Sequence, residues 1–399
     1  MKRQEGEAFD LVVFGGGIVG LLFVQLLLQR LPEGAGPRIA VVEPHPPAPP
    51  LPDIDLRVAA LSPASRLLLE STGAWERLPA AKSCAYERMR VWQGAAGPTA
   101  AHTLVFDAAE AGLPELGHII ENHALRLALW QQLESGADCE FITAAADALQ
   151  PGSAAVHIGI GPRQITAPLV VGADGAQSWL RERLRVAQRE HDYGQRGIVC
   201  HLQPEIAHAG TAWQKFLAGG PAALLPLADG RVSLVWTVSA AAAEGLLALS
   251  DAEFAARLAA ELDGVLGEFR CTTPRADFPL LAAHAEHYTG ERFALLGDAA
   301  HRVHPLAGQG LNLGIQDADV LAAELAREWP QPAADPGDAR ILRRFERRRR
   351  GDVQLTLSAM TVLNRLFASP VAGLAGTGMG LLNRAPGLKV SLARYATGS

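Results

Sequence analysis

Residues 9–30 read FDLVVFGGGIVGLLFVQLLLQR. An apolar run of strand length meets three consecutive glycines, and an apolar run of helix length follows. The stretch predicts a buried strand, a glycine turn and a buried helix. A short connector, LPEGAGP, leads into RIAVVEP, the next predicted strand. This β-α-β order belongs to a parallel sheet, whose neighbouring strands need a crossover between them. Within the turn, Gly15, Gly17 and Gly20 form G-x-G-x-x-G. Gly15 permits the tight turn, Gly17 lets the backbone approach a pyrophosphate, and Gly20 brings the helix close to the sheet. Phosphates placed there meet the free N–H groups of a helix start. Glu43 ends the next strand, where a carboxylate accepts hydrogen bonds from adenosine ribose hydroxyls. The turn reads as a dinucleotide site, with a plain packing turn as the alternative.

Composition sets the frame around this turn. The chain has 399 residues, 49% hydrophobic and 20% charged, as a soluble globular protein of two or three domains would. Its net charge of −6 argues against a nucleic-acid partner, which needs a basic surface. Cys84, Cys139, Cys200 and Cys271 are widely spaced and form no CxxC pair. Neither zinc nor a disulfide framework is suggested, and a cytoplasmic location is expected. No leader is expected at the polar start. The segment IVGLLFVQLLLQR is interrupted by Gln25 and falls short of the about 20 apolar residues a membrane span takes.

Further along, PHPPAPPLPD (44–53) reads as a stiff exposed connector. Residues 56–79 and 118–135 are predicted helical, and RQITAPLVVGAD (163–174) reads as strands ending at a turn. From about 190 to 280, short apolar runs such as AALLPL and RVSLVWTVS predict an antiparallel sheet, broken by one helix, SDAEFAARLAAEL. RFALLGDAAH is again a buried strand entering a turn, and the tail from about 340 is predicted helical. The nucleotide-type pieces are therefore scattered, with another module inserted between them.

Two further strand ends carry candidate chemistry. Asp174 and Gly175 sit at one, followed by Ser178 and Arg181; this reads equally as a helix cap or a site. Asp298 follows Gly297 at another, where a carboxylate can accept from sugar or ribityl hydroxyls. The string HPLAGQGLNLG then opens a helix: Pro305 fixes one φ, while Gly308, Gly310 and Gly314 free the backbone. The positive end of that helix suits a delocalised anion such as a reduced isoalloxazine. His301 and His304, like His284 and His287, have i, i+3 spacing, but no acid or thiol completes a set and no metal is expected. RRFERRRR (343–350) reads as a solvated or salt-bridged face. Contact with anionic lipid, salt-sensitive and lost when Arg347–Arg350 become glutamine, is the sharper expectation.

The three motifs in this order resemble the flavin-dependent aromatic hydroxylases of the p-hydroxybenzoate hydroxylase fold, with Asp174-Gly175 as the DG motif and Gly297-Asp298 as the GD motif. DLRVAALSPAS, HIIENHALRLALW, FPLLAAHAEHY, GDAAHRVHPLAGQGLNLG and LLNRAPGLKVSLARYATG are similar to the ubiquinone-biosynthesis branch. The resemblance covers nearly the whole chain. It implies an α/β fold: a discontinuous Rossmann-like FAD-binding domain (1–80, 110–188 and 281–350), an inserted, mainly antiparallel substrate domain (81–109 and 189–280) and a C-terminal helical segment (351–399). It implies FAD, with NAD(P)H as reductant. By position, Gly15, Gly17, Gly20 and Glu43 take the ADP half, and Arg57 and Arg126 lie near the pyrophosphate and flavin. Asp174 joins the cofactor site and Asp298 takes the ribityl or pyrophosphate side. Pro305, Gly308, Gln309, Gly310, Leu311 and Asn312 line the isoalloxazine, and no side-chain acid or base is assigned. The implied reaction uses O2 to hydroxylate a polyprenylated phenol through a flavin C4a-hydroperoxide. A small aromatic acid as substrate, or a non-catalytic FAD-bound scaffold in a quinone-biosynthesis complex at the membrane, are the alternatives.

Overall fold

The computed structural model describes residues 7–32, 36–50, 53–94, 97–98, 103–136, 139–303, 309–329, 331 and 334–368, with backbone alone at 309 and 355–368. Among them, a six-stranded sheet has the order Thr289–Gly290, Phe293–Leu295, Val170–Gly172, Leu11–Phe14, Ile39–Val42, Cys139–Ile142. All its pairings are parallel except the Thr289–Gly290 edge. Its strands come from the start, middle and late parts of the chain, so the fold is discontinuous in sequence, as read above. The helix Ile18–Arg30 follows the first of them and is buried from Gly20 to Leu27. Buried on both faces, these strands lack alternation and read as continuous apolar runs.

A second large sheet runs in the order His301–Arg302, Ala276–Ala285, Gln188–Pro204, Val232–Ser239, Gly220–Pro226, Thr211–Leu217, Arg88–Gln93, Leu104–Asp107, with Phe269–Cys271 also paired to Gln188–Pro204. It is antiparallel apart from the pairing of Thr211–Leu217 with Arg88–Gln93. Its two faces alternate. Val232, Leu234, Trp236 and Val238 pack against the helices Ala240–Ala248 and Asp251–Glu261, while Ser233, Val235 and Thr237 face a cavity. A three-stranded antiparallel sheet of Val58–Leu61, Gly117–Glu121 and Ser83–Tyr86 stands on the other side of that cavity.

Several expected helices differ. Within 56–79, residues Val58–Leu61 are a strand and the helix is Pro63–Ser71. Ser62 caps it by accepting Ser65 N at 3.2 Å, and Pro63 holds the first helical position. Within 118–135, the strand Gly117–Glu121 precedes the helix Asn122–Glu134, because Ile119 and Ile120 pair with both neighbouring strands. The inserted module carries two helices rather than one. Ser239 caps the alanine-rich Ala240–Ala248, and Ser250 with Glu253 forms a capping box for Asp251–Glu261.

For the arginine run, the salt-bridged reading fits the structure. It lies on the helix Ala339–Ala368, which packs on the helix Gln309–Glu328. Arg344 and Arg348 pair with Glu324, Arg350 pairs with Glu346, and Arg349 is buried against Asp317. Three of the four arginines expected to meet lipid are thus held in ion pairs; Arg343 and Arg347 are exposed. No helix among the described residues is long and apolar enough to cross a membrane.

Candidate active site

The carboxyl ends of Leu11–Phe14, Val170–Gly172 and Phe293–Leu295 lie side by side, and the turn after each meets the others there. Ligands of open parallel sheets bind at such ends. Gly15 has φ +102°, and a Cβ on it would meet Ala173 O at 2.4 Å. A Cβ on Gly20 would meet Gly15 O at 2.3 Å. These two glycines are required by the protein's own packing. Gly17 is not: its φ is −83°, and the nearest atom to an added Cβ is Ala173 O, 4.0 Å away. A glycine with an ordinary φ and open space beside it, at a helix start with no side-chain cap, fits a cradle for a pyrophosphate.

Glu43 reaches this turn. One carboxylate oxygen accepts Gly16 N at 2.8 Å and the other accepts His45 N at 2.8 Å. Arg126 donates from Nε to Gly16 O at 2.7 Å and lies 3.3 Å from Glu43. Its guanidinium therefore fastens the glycine turn to the acid. Asp174 accepts Leu180 N at 3.0 Å through Oδ2, and Oδ1 is buried with no partner among the described residues. Burial raises its carboxyl above the ordinary range, against the pull of Ser178 and backbone N–H groups. Arg181 donates to Ala176 O and Ala299 O, tying this turn to the Gly297 turn.

Gly297 has φ +56°, and a Cβ added to it would lie 3.3 Å from Val19 of the first helix; one added to Gly314 of the late helix would lie 2.7 Å from the same Val19. The opening and closing glycine motifs thus meet at one point. Asp298, next in the chain, is exposed yet surrounded by enough protein to raise its carboxyl above the ordinary value. His301, Arg302 and Arg57 pull it back. Arg57 is itself exposed and lines the cavity, and its charge reaches Asp298.

The helix Gln309–Glu328 has no acid in its first turn. Gly310 has room for a Cβ, 3.6 Å from Val303. Leu311 packs against the main core, and Asn312 lines the cavity. The Asn312 amide is committed: Oδ1 accepts Ser62 N at 2.9 Å and Nδ2 donates to Ala60 O at 2.8 Å. It staples the helix start to the strand Val58–Leu61. Pro305, Gly308 and His304 lie outside the described residues, as does the side chain of Gln309.

The cavity beyond Asn312 has a volume of about 600 Å³. Its wall is largely apolar, including Met89, Phe106, Ile119, Val199, Leu225 and Val235. Its polar members include Tyr86, Asn122, Gln214, Ser233 and Thr237. Burial, with Glu115 adding to it, pushes the Tyr86 hydroxyl up to about 12, so it stays a neutral phenol. These residues carry no local motif; only the sheet register brings them together.

The family described as FAD binding domain matches residues 8–356. Over 98% of both chains, the sequence is 35% identical to 3-demethoxyubiquinol 3-hydroxylase of Escherichia coli. It is 35% identical to ubiquinone hydroxylase UbiL of Rhodospirillum rubrum, over 98% of this chain and 90% of that one. The chain belongs to the flavin-dependent hydroxylase family of ubiquinone biosynthesis. Human ubiquinone biosynthesis monooxygenase COQ6 is 31% identical over 98% of this chain and 92% of its own. Among solved structures, p-nitrophenol 4-monooxygenase PnpA of Pseudomonas putida superposes with a TM-score of 0.75 at 18% identity, covering 97% of each chain. That likeness establishes the shared fold of this family member, whose cofactor is FAD.

Proposed function

We propose that this chain is an FAD-dependent monooxygenase that hydroxylates the ring of a polyprenylated phenol in ubiquinone biosynthesis, with NAD(P)H as reductant. The observation that carries the reading is an open dinucleotide cradle at Gly17, the opposite charges of Asp298 and Arg57, and an apolar cavity behind Asn312. Bound FAD supplies the activation of O2 and the oxygen atom delivered to the ring.

The chain's own residues have positioning roles. The N–H groups after Gly17 hold the pyrophosphate, and Glu43 turns to the adenosine ribose. Arg126 keeps Glu43 and the glycine turn in place. Asp298 accepts from the ribityl side and Arg57 offers positive charge near it. Asp174 shapes the neighbouring turn. Pro305, Gly308, Gln309, Gly310 and Leu311 border the isoalloxazine, where the helix start favours negative charge on the reduced ring. Residues 1–80, 110–188 and 281–350 serve the flavin, and 81–109 with 189–280 the substrate. The apolar wall keeps water from the reacting oxygen and receives the ring.

A small aromatic acid is the weaker reading. Such an anion needs a cation in the cavity, and among the described lining residues only Arg57 is basic, its charge reaching Asp298. The test is NAD(P)H oxidation by the FAD-loaded protein with a short-chain prenylated phenol. Phenol-dependent turnover with matching hydroxylated product supports the proposal. Peroxide alone, or efficient turnover only with soluble aromatic acids, overturns it.

A further inference from the structure

We propose that Ser233, backed by His201, is the point at which the cavity reads a hydroxyl group on the substrate ring; this rests on the hydroxylase reading above. Ser233 lines the cavity, is 1% exposed, and its Oγ has no hydrogen-bond partner among the described residues. A hydroxyl buried against apolar neighbours without a partner is costly, so an unpaired one at a ligand cavity points to the ligand.

The strand register supplies the second observation. His201 stands directly opposite Ser233 in the antiparallel pairing of Gln188–Pro204 with Val232–Ser239. Val199 and Val235 form the next pair on the same face, and both line the cavity. Opposed side chains of this kind have Cβ atoms about 5 Å apart. His201 is fully buried, and its Nε2 lies 3.0 Å from Asp55 O. A carbonyl only accepts, so Nε2 carries the hydrogen and Nδ1 is left as an acceptor. Nδ1 is also buried without a partner among the described residues.

The two orphans are complementary but are not bonded to each other in the structure, so the bond between them forms only as the ring hydroxyl enters. Ser233 has one hydrogen to donate and His201 Nδ1 one lone pair to receive it. Once that hydrogen is given to Nδ1, the Ser233 oxygen only accepts, and it suits a phenol O–H in the cavity. A methyl ether at the same ring position has no hydrogen to offer. The chain of donors then runs from phenol to Ser233, to His201, to Asp55 O. His201 is a positioning residue here, acting through Ser233.

Its neutrality matters. Burial holds the imidazole below its ordinary value, and Arg231 adds to this, against the Asp55 carbonyl, Asp229 and Asp53. Acidification below that lowered value protonates Nδ1, which can then no longer accept. Ser233 regains its hydrogen as a donor, and the ether becomes acceptable.

The test uses the FAD-loaded full chain and two probes, a short-prenyl phenol and its O-methyl ether, titrated by calorimetry. The wild type is expected to bind the phenol about tenfold more tightly than the ether, a preference that fades as the pH is lowered. Ser233→Ala brings the ratio near one at every pH, with FAD content unchanged, and Ser233→Thr restores the preference. If the alanine variant does not fold, Ser233→Cys replaces it, with the same loss expected. A retained preference in Ser233→Ala or Ser233→Cys, or a pH-independent preference in the wild type, overturns the proposal. A wild type that hydroxylates the phenol but binds both probes equally overturns this inference alone. A wild type that neither binds nor hydroxylates the phenol overturns the hydroxylase reading with it.

Discussion

Gly17 separates the protein's needs from the cofactor's. Gly15 and Gly20 abut backbone, whereas an added Cβ at Gly17 would meet nothing closer than 4.0 Å. Gly17→Val should therefore fold with near wild-type thermal stability yet bind FAD at least about tenfold more weakly, because its side chain occupies the pyrophosphate's place. Gly20→Ala should lose stability instead. Flavin absorbance and a thermal melt on the same samples separate the two; a Gly17→Val protein with full FAD content would make the turn purely structural. Asp298→Ala should likewise lose most of its flavin while the fold persists, since Asp298 caps nothing and is exposed. At this scale the sequence was highly legible. Gly15, Gly17, Gly20 and Glu43 are local to one β-α-β unit, and spacing alone places them. Ser233 and His201 were not legible, because cross-strand register between distant segments decides that they are neighbours. Nor was the commitment of the Asn312 amide to Ala60 and Ser62.

Among the elements, the helix Gln309–Glu328 is held at its start by that amide. Asn312→Ala removes two hydrogen bonds to the strand Val58–Leu61 and should cost about 1–2 kcal/mol in a chemical denaturation experiment. FAD affinity should fall as well, because the helix start is no longer fixed against the strand. A variant unchanged in both would show that the staple positions nothing. The strands Val58–Leu61 and Gly117–Glu121 escaped the sequence reading for a physical reason. They are short, each runs into a helix, and their pairing partners lie far away in the chain, so the helical pattern beside them dominates any local window. The Ser62-Pro63 pair did carry the true helix boundary. The Ala240–Ala248 helix was likewise signalled by its alanine run and Ser239.

At the scale of the molecule, a buried network binds the late helices to the flavin-side turn. Asp317 accepts Gly297 N at 2.9 Å, lies 2.6 Å from His301 Nε2 and accepts Arg349 Nε at 2.7 Å. Burial would raise the Asp317 carboxyl, but His301 and Arg349 outweigh it and hold it below its ordinary value. A depressed carboxyl contributes stability that is complete above the ordinary range near about pH 4 and is lost as pH falls through the folded value. Asp317→Asn should therefore flatten the acid limb of the stability curve. Arg349→Ala, which leaves a buried carboxylate short of its partner, should cost about 3–5 kcal/mol. Equilibrium unfolding against pH checks both, and an unaltered acid limb in Asp317→Asn would refute the network's role. The arginine run was visible in the sequence, but which arginines turn inward depends on Asp317 and Glu324 of another helix.

The central claim is that FAD held at these turns delivers an oxygen atom from O2 to a prenylated phenol in the adjoining cavity. The direct measurement is mass spectrometry of the product formed from a short-chain prenylated phenol by the FAD-loaded protein with NAD(P)H under 18O2. A hydroxylated product carrying one 18O atom, lost in Asp298→Ala along with the flavin, is the predicted result. A product labelled from water, or NAD(P)H oxidation with no hydroxylated ring, would contradict the account.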